Sequence, residues 1–220
     1  YDKKMGKQSF NITGFYREGH NHWTDYGDFF HMYTEAFDYV TYDMWGVVSP
    51  IGVEFSGKNA FEGLKVAVGP QLSMGANPQI FALYNKEIAG IQFTPIARVD
   101  IGESDAVGVS TVEKQQKTSQ YALSAKKAVS NFLITGGVMF SSPEKVGTPY
   151  VSVKEIPKHT NSTNFYAWNG YEVYNNEVKY QDALGGKLEL LGDFGKLKFL
   201  AMGEYMGLLA GGGWDRLHTL

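Results

Sequence analysis

Residues 64–74 read LKVAVGPQLSM, and every second position carries an apolar residue. Residues 91–101, IQFTPIARVDI, repeat the pattern over the same length of 11 residues. A side-chain period of two predicts β-strands, because successive side chains of a strand point to opposite faces. Strands of soluble proteins average about 5 to 6 residues, whereas a tilted strand that crosses a bilayer needs about 9 to 11. Both stretches are therefore predicted to be strands long enough to cross a membrane.

Charged residues keep to one face of these strands. In residues 64–74 the apolar face has no charge and Lys65 lies on the other face, and in residues 91–101 Arg98 and Asp100 share the face opposite Phe93. Weaker alternation predicts seven more strands, nine in all, at residues 10–17, 51–56, 79–85, 120–126, 131–141, 184–191 and 196–206. Aromatic residues that lie near strand ends are Phe10, Tyr16, Phe55, Tyr84, Phe93, Tyr121, Phe140 and Tyr205.

The connections between the predicted strands alternate in length. Short turns are predicted at residues 58–63, 85–90, 127–130 and 192–195. Between them lie longer connections at residues 18–50, 102–119 and 142–183, with residues 75–78 as the one short exception. This alternation predicts antiparallel strands in an up-and-down order, with the short turns on one side and the long loops on the other.

Composition excludes several classes of function. The 220 residues carry a net charge of −3, and 20 Lys and Arg are scattered among 23 Asp and Glu, so no basic patch suits nucleic acid. The absence of cysteine excludes disulfides, thiolate metal sites and a cysteine nucleophile. No stretch approaches the roughly 18 consecutive apolar residues of a membrane helix. A membrane-embedded form of this chain would therefore have to be a β-barrel.

Hairpin-like pieces such as residues 51–58, IGVEFSGK, and 61–69, FEGLKVAVG, resemble the hairpins of large bacterial porins and porin-like proteins. The turn at residues 192–195, GDFG, has similar chemistry. The resemblance implies an all-β, antiparallel transmembrane up-and-down β-barrel of at least nine strands in the bacterial outer membrane. It also implies a porin or channel for passive passage of small polar solutes, with sugars as candidates.

The predicted barrel is expected to be incomplete. Nine is an odd number, whereas bacterial single-chain barrels carry an even number of strands, and Leu220 is not a terminal aromatic residue. We therefore expect residues 1–220 to form a single barrel domain that is a fragment of a larger barrel. Four apolar residues on the faces assigned to the lumen favour a narrow or plugged lumen: Ile96, Leu133, Leu200 and Met202.

The polar faces supply the predicted pore-lining residues: Glu54, Lys65, Arg98, Asp100, Glu189, Lys198 and Glu204. In a barrel these side chains would project into the lumen, where opposed charges create a transverse field that orients polar solutes. Alternatively, they pair across strands and only make the interior soluble. The sequence favours neither interpretation.

The long connection at residues 18–50 is unusually aromatic and acidic. It is predicted to be an external loop that packs over the barrel mouth, or a plug that folds inward and binds sugars or selects cations. The candidate solute-binding residues of this loop are Trp23, Asp25, Tyr26, Asp28 and Trp45.

No metal or cofactor is predicted. His20 and His22 are weak metal candidates, with Asp25 or His31 as a third ligand, but the spacing matches no strong signature. The chain has no nucleophile elbow, phosphate-binding loop or His-Glu-x-x-His motif, so an enzyme is not predicted.

Two alternative functions remain open. A soluble all-β protein could bind carbohydrate through the aromatic loop, with one wet face and one core face on each strand. A non-conducting barrel could instead anchor a surface assembly. Dependence on detergent distinguishes the first alternative from a channel, and conductance distinguishes the second. The expected partners of the channel are the lipid bilayer and small polar solutes, with another copy of the chain or an assembly component as further candidates.

Overall fold

The computed structural model describes residues 2–5, 8–16, 23–33, 51–72, 76–103, 117–155 and 170–210. The described residues form an all-β structure of antiparallel strands with one short α-helix. In this part of the chain no helix has the length and the apolar character needed to cross a membrane.

Eleven strands belong to one sheet, and two form a separate hairpin. The strands are β1 (Asp2–Met5), β2 (Gln8–Tyr16), β3 (Ile51–Lys58), β4 (Leu64–Gln71), β5 (Gln79–Tyr84), β6 (Lys86–Ile88), β7 (Ile91–Asp100), β8 (Ser119–Val129), β9 (Phe132–Ser141), β10 (Pro149–Glu155), β11 (Tyr171–Glu177), β12 (Leu184–Asp193) and β13 (Lys198–Met206). The helix α1 (Tyr180–Ala183) precedes β12, and single 3-10 turns lie at Thr24–Tyr26, Asn59–Phe61 and Pro143–Lys145.

The sheet is an up-and-down meander in which consecutive strands are neighbours. Its order is β1-β2-β3-β4-β5-β7-β8-β9-β12-β13, and the short β6 also pairs with β7. The hairpin of β10 and β11 leaves the sheet between β9 and β12. Within the described residues, β1 pairs with β2 alone and β13 with β12 alone, so both are edge strands and no closed barrel is formed.

All nine predicted strands are present, but two connections were assigned wrongly. Residues 85–90 were predicted as a turn, whereas β6 pairs there with β7, and the turn is confined to Ala89 and Gly90, both at positive φ. Three residues are too few to show a period. Residues 142–183 were predicted as a loop, whereas they contain β10, β11 and α1. The hairpin of β10 and β11 lies outside the main sheet, and the polar residues Asn175, Asn176 and Glu177 end the apolar alternation of β11.

The predicted strand at 64–74 ends earlier than its alternation suggests. The strand β4 ends at Gln71, and Leu72 is buried beside Phe15 instead of following the outward apolar face. Pro70 has no N–H to donate to the ladder, and the pairing with β3 shifts register between Ile51 and Val53. A bulge of this kind re-aims the side chains that follow it. Met74 lies outside the described residues.

One face of the sheet is covered by residues 23–33, which we call the inner segment. We call this face the inner face and the opposite one the outer face. Seven strands contact the inner segment through inner-face residues, one from each of β3, β4, β5, β7, β8, β9 and β12: Glu54, Lys65, Phe81, Thr94, Ser124, Gly137 and Lys187. The main hydrophobic core lies between this face and the inner segment.

The outer face is apolar. Within the described strands β2, β3, β4, β5, β7, β9, β12 and β13, no outer position carries a charged residue. The charged residues of β6 and Lys127 of β8 lie next to short turns. Exposed large residues on the outer face are Tyr16, Phe55, Ile80, Tyr84, Tyr121, Leu123, Ile134, Val138, Leu184, Leu188, Phe199 and Tyr205.

Candidate functional site

The inner segment is folded around one buried carboxylate. Asp28 is fully buried, and its two oxygens accept the backbone N–H groups of Met32 at 3.0 Å and Tyr33 at 2.8 Å. The carbonyl oxygen of Trp23 accepts the N–H groups of Tyr26 and Asp28. A carboxylate that accepts backbone N–H groups makes strong, charge-assisted hydrogen bonds. These bonds close the segment into a compact turn, which begins with the 3-10 turn Thr24–Tyr26.

Aromatic stacking fixes this turn against the middle of the sheet. The rings of Trp23 and Tyr33 stack at 4.7 Å, and both meet the ring of Phe81 edge-on, at 6.0 Å and 4.7 Å. Trp23 is fully buried and Tyr33 is 4% exposed. Burial raises the pKa of the Tyr33 hydroxyl well above its ordinary value, and the negative charge of Glu54 raises it further.

The inner face carries a band of apolar side chains at the level of these rings. We call it the apolar belt, and it consists of Phe15, Ala67, Leu72, Phe81, Leu83, Ile96, Ala122 and Met139. It runs from β2 to β9 and includes Ile96, one of the apolar residues predicted to face the lumen. Polar side chains lie on both sides of it. The belt and the aromatic rings together form a packed apolar layer over the inner face of the strands from β2 to β9.

A buried ion pair holds the inner segment on the side of the short turns. The Lys65 Nζ lies 2.8 Å from Glu54 Oε1, and the two side chains are 8% and 9% exposed. The indole Nε1 of Trp23 donates to the other carboxylate oxygen at 2.9 Å, and the Ser56 hydroxyl donates to Oε1 at 3.1 Å. The Lys65 ammonium also lies 3.8 Å from the ring centroid of Tyr26. All of these partners are needed to offset the cost of burying two charges.

Further contacts position the rest of the segment. The Asn85 side-chain amide donates to the backbone oxygen of Tyr26 at 2.7 Å. Gly27 has a φ of 103°, and a Cβ at this position would lie 2.6 Å from the Thr94 hydroxyl oxygen, so a side chain is excluded there. Lys187 Nζ lies 4.6 Å from the Phe29 ring centroid. The segment is thus attached to the sheet at several separate points.

A cavity of about 680 Å³ opens beside the buried ion pair, on the side of the short turns. We call it the turn-side cavity. Its lining includes Asn11, Tyr26, Glu54, Ser56 and Lys65. The remaining lining residues are Thr13, Gly57, Asn59, Glu62, Gly63, Leu64, Asn85, Lys86 and Glu87. A second cavity of about 180 Å³ lies between the inner segment and strands β7 to β12, where Lys187 and Glu189 line it with His31.

A second polar group lies on the other side of the apolar belt, toward the long loops. Asp100 Oδ2 accepts the Asn77 amide and both the N–H and the hydroxyl of Thr118, each at 3.1 Å. Arg98 Nε lies 3.8 Å from Asp100 Oδ1, a long ion pair, and Nη1 donates to Gln120 at 3.3 Å. The fully buried Gln79 has no hydrogen-bond partner for its side chain among the described residues.

All seven residues predicted to line a pore lie on the inner face. The structure joins four of them in two pairs, Glu54 with Lys65 and Arg98 with Asp100. The other three are not joined to one another. Glu189 lines the smaller cavity, Glu204 stands opposite Lys187 in the ladder, and the exposed Lys198 pairs with Asp193 at 3.1 Å.

The five residues predicted to bind solute have different environments. Trp23 and Asp28 are fully buried and hold the inner segment together. Asp25 and Tyr26 are exposed, and Tyr26 lines the turn-side cavity. Trp45 lies outside the described residues, as do the weak metal candidates His20 and His22. The described part of the chain contains no cluster of three or more His, Cys, Asp or Glu residues that could hold a metal ion.

Sequence reasoning missed the amide side chains of the site. Asn11 lines the turn-side cavity, and its side-chain oxygen is buried and has no hydrogen-bond partner in the described structure. Asn85 anchors the inner segment, and Gln79 is buried beyond the belt. An uncharged amide on an alternating strand is an ordinary residue, so no sequence signal marks these positions.

Comparison of the chain with protein-family models, curated proteins and solved structures found no match.

Proposed function

We propose that this chain forms the wall of an outer-membrane β-barrel channel for small polar solutes, with the inner segment as its plug. The observation that carries the proposal is the contrast between the two faces of the sheet. The outer face is apolar and exposed, whereas the inner face carries the charged side chains and a polar cavity. Monomeric soluble proteins rarely expose contiguous apolar patches larger than a few hundred Å². Lipid outside and water inside would satisfy both faces.

Strand length and aromatic placement support a membrane environment. The strands β7, β8, β9 and β12 have 10, 11, 10 and 10 residues, close to the about 9 to 11 that a bilayer crossing needs. Outer-face aromatics stand at both ends of strands, as with Phe132 and Phe140 on β9 and Phe199 and Tyr205 on β13. Transmembrane barrels carry such aromatic girdles at both membrane interfaces.

The open edges set a requirement for this proposal. Lipid offers no hydrogen-bond partner to the unpaired backbone groups of an edge strand. The edges β1 and β13 must therefore pair in the membrane, with each other, with further strands or with another copy of the chain.

Purification from membranes tests the barrel. We expect the protein to need detergent for solubility, to give a β-rich circular dichroism spectrum and to migrate differently on a denaturing gel with and without boiling. A closed barrel resists the gel detergent until it is heated, and this resistance causes the mobility shift. Full solubility without detergent, together with an unchanged mobility, would contradict the membrane proposal and favour a soluble carbohydrate-binding protein.

The apolar belt favours a second candidate function, a non-conducting barrel that anchors a surface assembly. The belt and the stacked rings of Trp23 and Tyr33 would block polar solutes in the arrangement seen here. A channel then requires the inner segment to move away from the belt. The two candidates differ in whether displacement of this segment produces a current.

The variant Gly137→Leu is designed to displace the segment. A Cβ at Gly137 would lie 2.8 Å from the Phe30 ring and 3.1 Å from the Phe29 ring, so a larger side chain must push these rings off the wall. Overpacking of this kind costs about 1 to 3 kcal/mol. If this cost falls on the plugged state alone, the ratio of open to closed channels rises about 5- to 150-fold. We expect planar-bilayer recordings at a fixed voltage to show this rise in the ratio of open to closed channels.

Gly136→Leu is the matched control. A Cβ at Gly136 points to the outer face, where its nearest neighbour is a Leu188 methyl group at 3.4 Å, so the inner segment is untouched. Its conductance is expected to equal that of the unmodified protein. Absence of current from all three proteins would rule out the plugged channel and leave the anchor. Equal currents from both variants would show that the side chain added at Gly137 is not the cause of the increased current.

A further inference from the structure

We infer that the turn-side cavity is a binding site for a neutral, hydroxyl-rich solute of the size of a mono- or disaccharide. This inference rests on the proposed function, since it names the solute class that would occupy the lumen beside the plug. At about 680 Å³ the cavity falls within the usual range of about 300 to 1,000 Å³ for small-molecule sites.

The polar groups of the cavity suit hydroxyl groups. Three side-chain amides, of Asn11, Asn59 and Asn85, and two hydroxyls, of Thr13 and Ser56, line it. Amide and hydroxyl side chains each offer both a donor and an acceptor. Asn85 already donates to the Tyr26 backbone oxygen and accepts from Gln92. Ser56 already donates to Glu54 and accepts from Lys65, so these two groups keep only part of their capacity for a solute. A sugar hydroxyl also donates and accepts, so adjacent hydroxyls on one ring can pair with several of these groups at once.

Asn11, a lining residue of the cavity, has a side-chain oxygen without a partner. This oxygen has almost no accessible surface and accepts no hydrogen bond from any described residue, so a solute reaches it only when the Asn11 amide turns toward the cavity. A buried acceptor without a donor costs about 1 to 3 kcal/mol, so such atoms usually mark a place for a bound molecule or water. Asn11 stands directly opposite Ser56 in the ladder of β2 and β3, so both face the same space. This places one donor-seeking oxygen beside a hydroxyl.

The charges of the cavity favour a neutral solute. The carboxylate of Glu54 is neutralised by Lys65. The exposed residues Glu62, Lys86 and Glu87 also line the cavity and leave one net negative charge. That net charge repels an anion, although Lys86 is an exposed cation of the lining. The Tyr26 ring is 42% exposed and adds an apolar surface on which the C–H groups of a sugar ring can pack.

Titration calorimetry on the full chain in lauryldimethylamine oxide tests the inference. This detergent is chosen because the head groups of alkyl glucosides and maltosides would occupy the proposed site. The probes are glucose, maltose and gluconate, the last being a hydroxyl-rich anion. We expect glucose and maltose to bind and gluconate to show no binding. Gluconate binding as tightly as glucose would overturn the assignment to neutral solutes.

Two asparagine variants locate the binding. Asn11→Ala removes the unpaired acceptor and is expected to weaken glucose and maltose binding by roughly 2- to 12-fold, the loss of one hydrogen bond. Asn131→Ala removes the same group from the exposed turn between β8 and β9 and is expected to bind like the unmodified chain. Both variants must first give the circular dichroism spectrum of the unmodified chain. Equal affinities in the two variants would overturn the placement of the site.

The outcomes separate this inference from the proposed function. A heat-modifiable, detergent-dependent protein that binds none of the sugars would overturn the inference and leave the barrel in place. A protein that binds glucose through Asn11 but is soluble and shows no mobility shift would support the site and overturn the membrane channel.

Discussion

The variant Glu54→Gln is expected to lower the free energy of unfolding by about 3 to 5 kcal/mol, because it leaves the Lys65 ammonium buried without a counter-charge. Lys65 is 6% exposed and lies 2.8 Å from the carboxylate that the substitution neutralises. Glutamine keeps the shape of the side chain but has only one oxygen. If this oxygen accepts from the Trp23 indole, the amide NH2 faces the Lys65 ammonium, which is also a donor. The loss therefore combines the missing counter-charge with the lost acceptor of Lys65.

Urea titration of the detergent-folded protein, followed by circular dichroism, measures this loss. The control is Asp193→Asn, which breaks the exposed pair with Lys198, where the two side chains are 59% and 74% exposed. Water screens such a pair, so no measurable change is expected. Equally small losses in both variants would mean that water reaches the Glu54–Lys65 pair, and that the inner segment does not seal it from the cavity.

The strands that sequence reasoning predicted best are those whose two faces have different environments. In Ile91–Asp100 the outer residues are apolar and the inner ones are Gln92, Thr94, Ile96, Arg98 and Asp100, so the period is clear and the predicted end is one residue too long. The hairpin β10–β11 was missed because Asn175, Asn176 and Glu177 of β11 interrupt any apolar face. Alternation reports a difference in environment between the two faces of a strand, and this difference is small in a hairpin that leaves the sheet.

The candidate site was predictable in part. The sequence indicated which charged residues share the inner face, since parity along a strand decides this. It did not indicate that Glu54 and Lys65 would pair, because the pairing depends on the register of β3 with β4, which contains a bulge. The sequence does not decide whether the inner segment lies over the barrel mouth or folds into the interior. The fold of this segment depends on Asp28 and on aromatic stacking, neither of which has a period.

The variant Leu123→Arg is expected to destabilise the folded protein in lipid vesicles by about 2 to 4 kcal/mol, which is the cost of an arginine near the middle of the lipid-facing surface of a barrel. Leu123 is the fifth residue of the 11-residue strand β8, on the outer face, and is 46% exposed. Its cross-strand neighbours on that face are Pro95 and Val138, so no acidic group stands beside it to pair with the arginine. The mobility shift over a urea series gives the fraction of folded protein in vesicles and, from it, the folding equilibrium constant. This constant should fall by roughly 30-fold or more.

Leu197→Arg makes the same change at a position that is 64% exposed, in the short turn between β12 and β13. A turn at the membrane surface tolerates arginine, so this variant should fold as the unmodified protein does, because the penalty falls to about 0 to 1 kcal/mol near the interfaces. In a water-soluble protein the two substitutions would be equivalent, since each replaces an exposed leucine with a well-hydrated side chain. In vesicles that contain no other protein, a penalty at Leu123 alone indicates lipid against the outer face, and equal behaviour of the two variants would place that face in water.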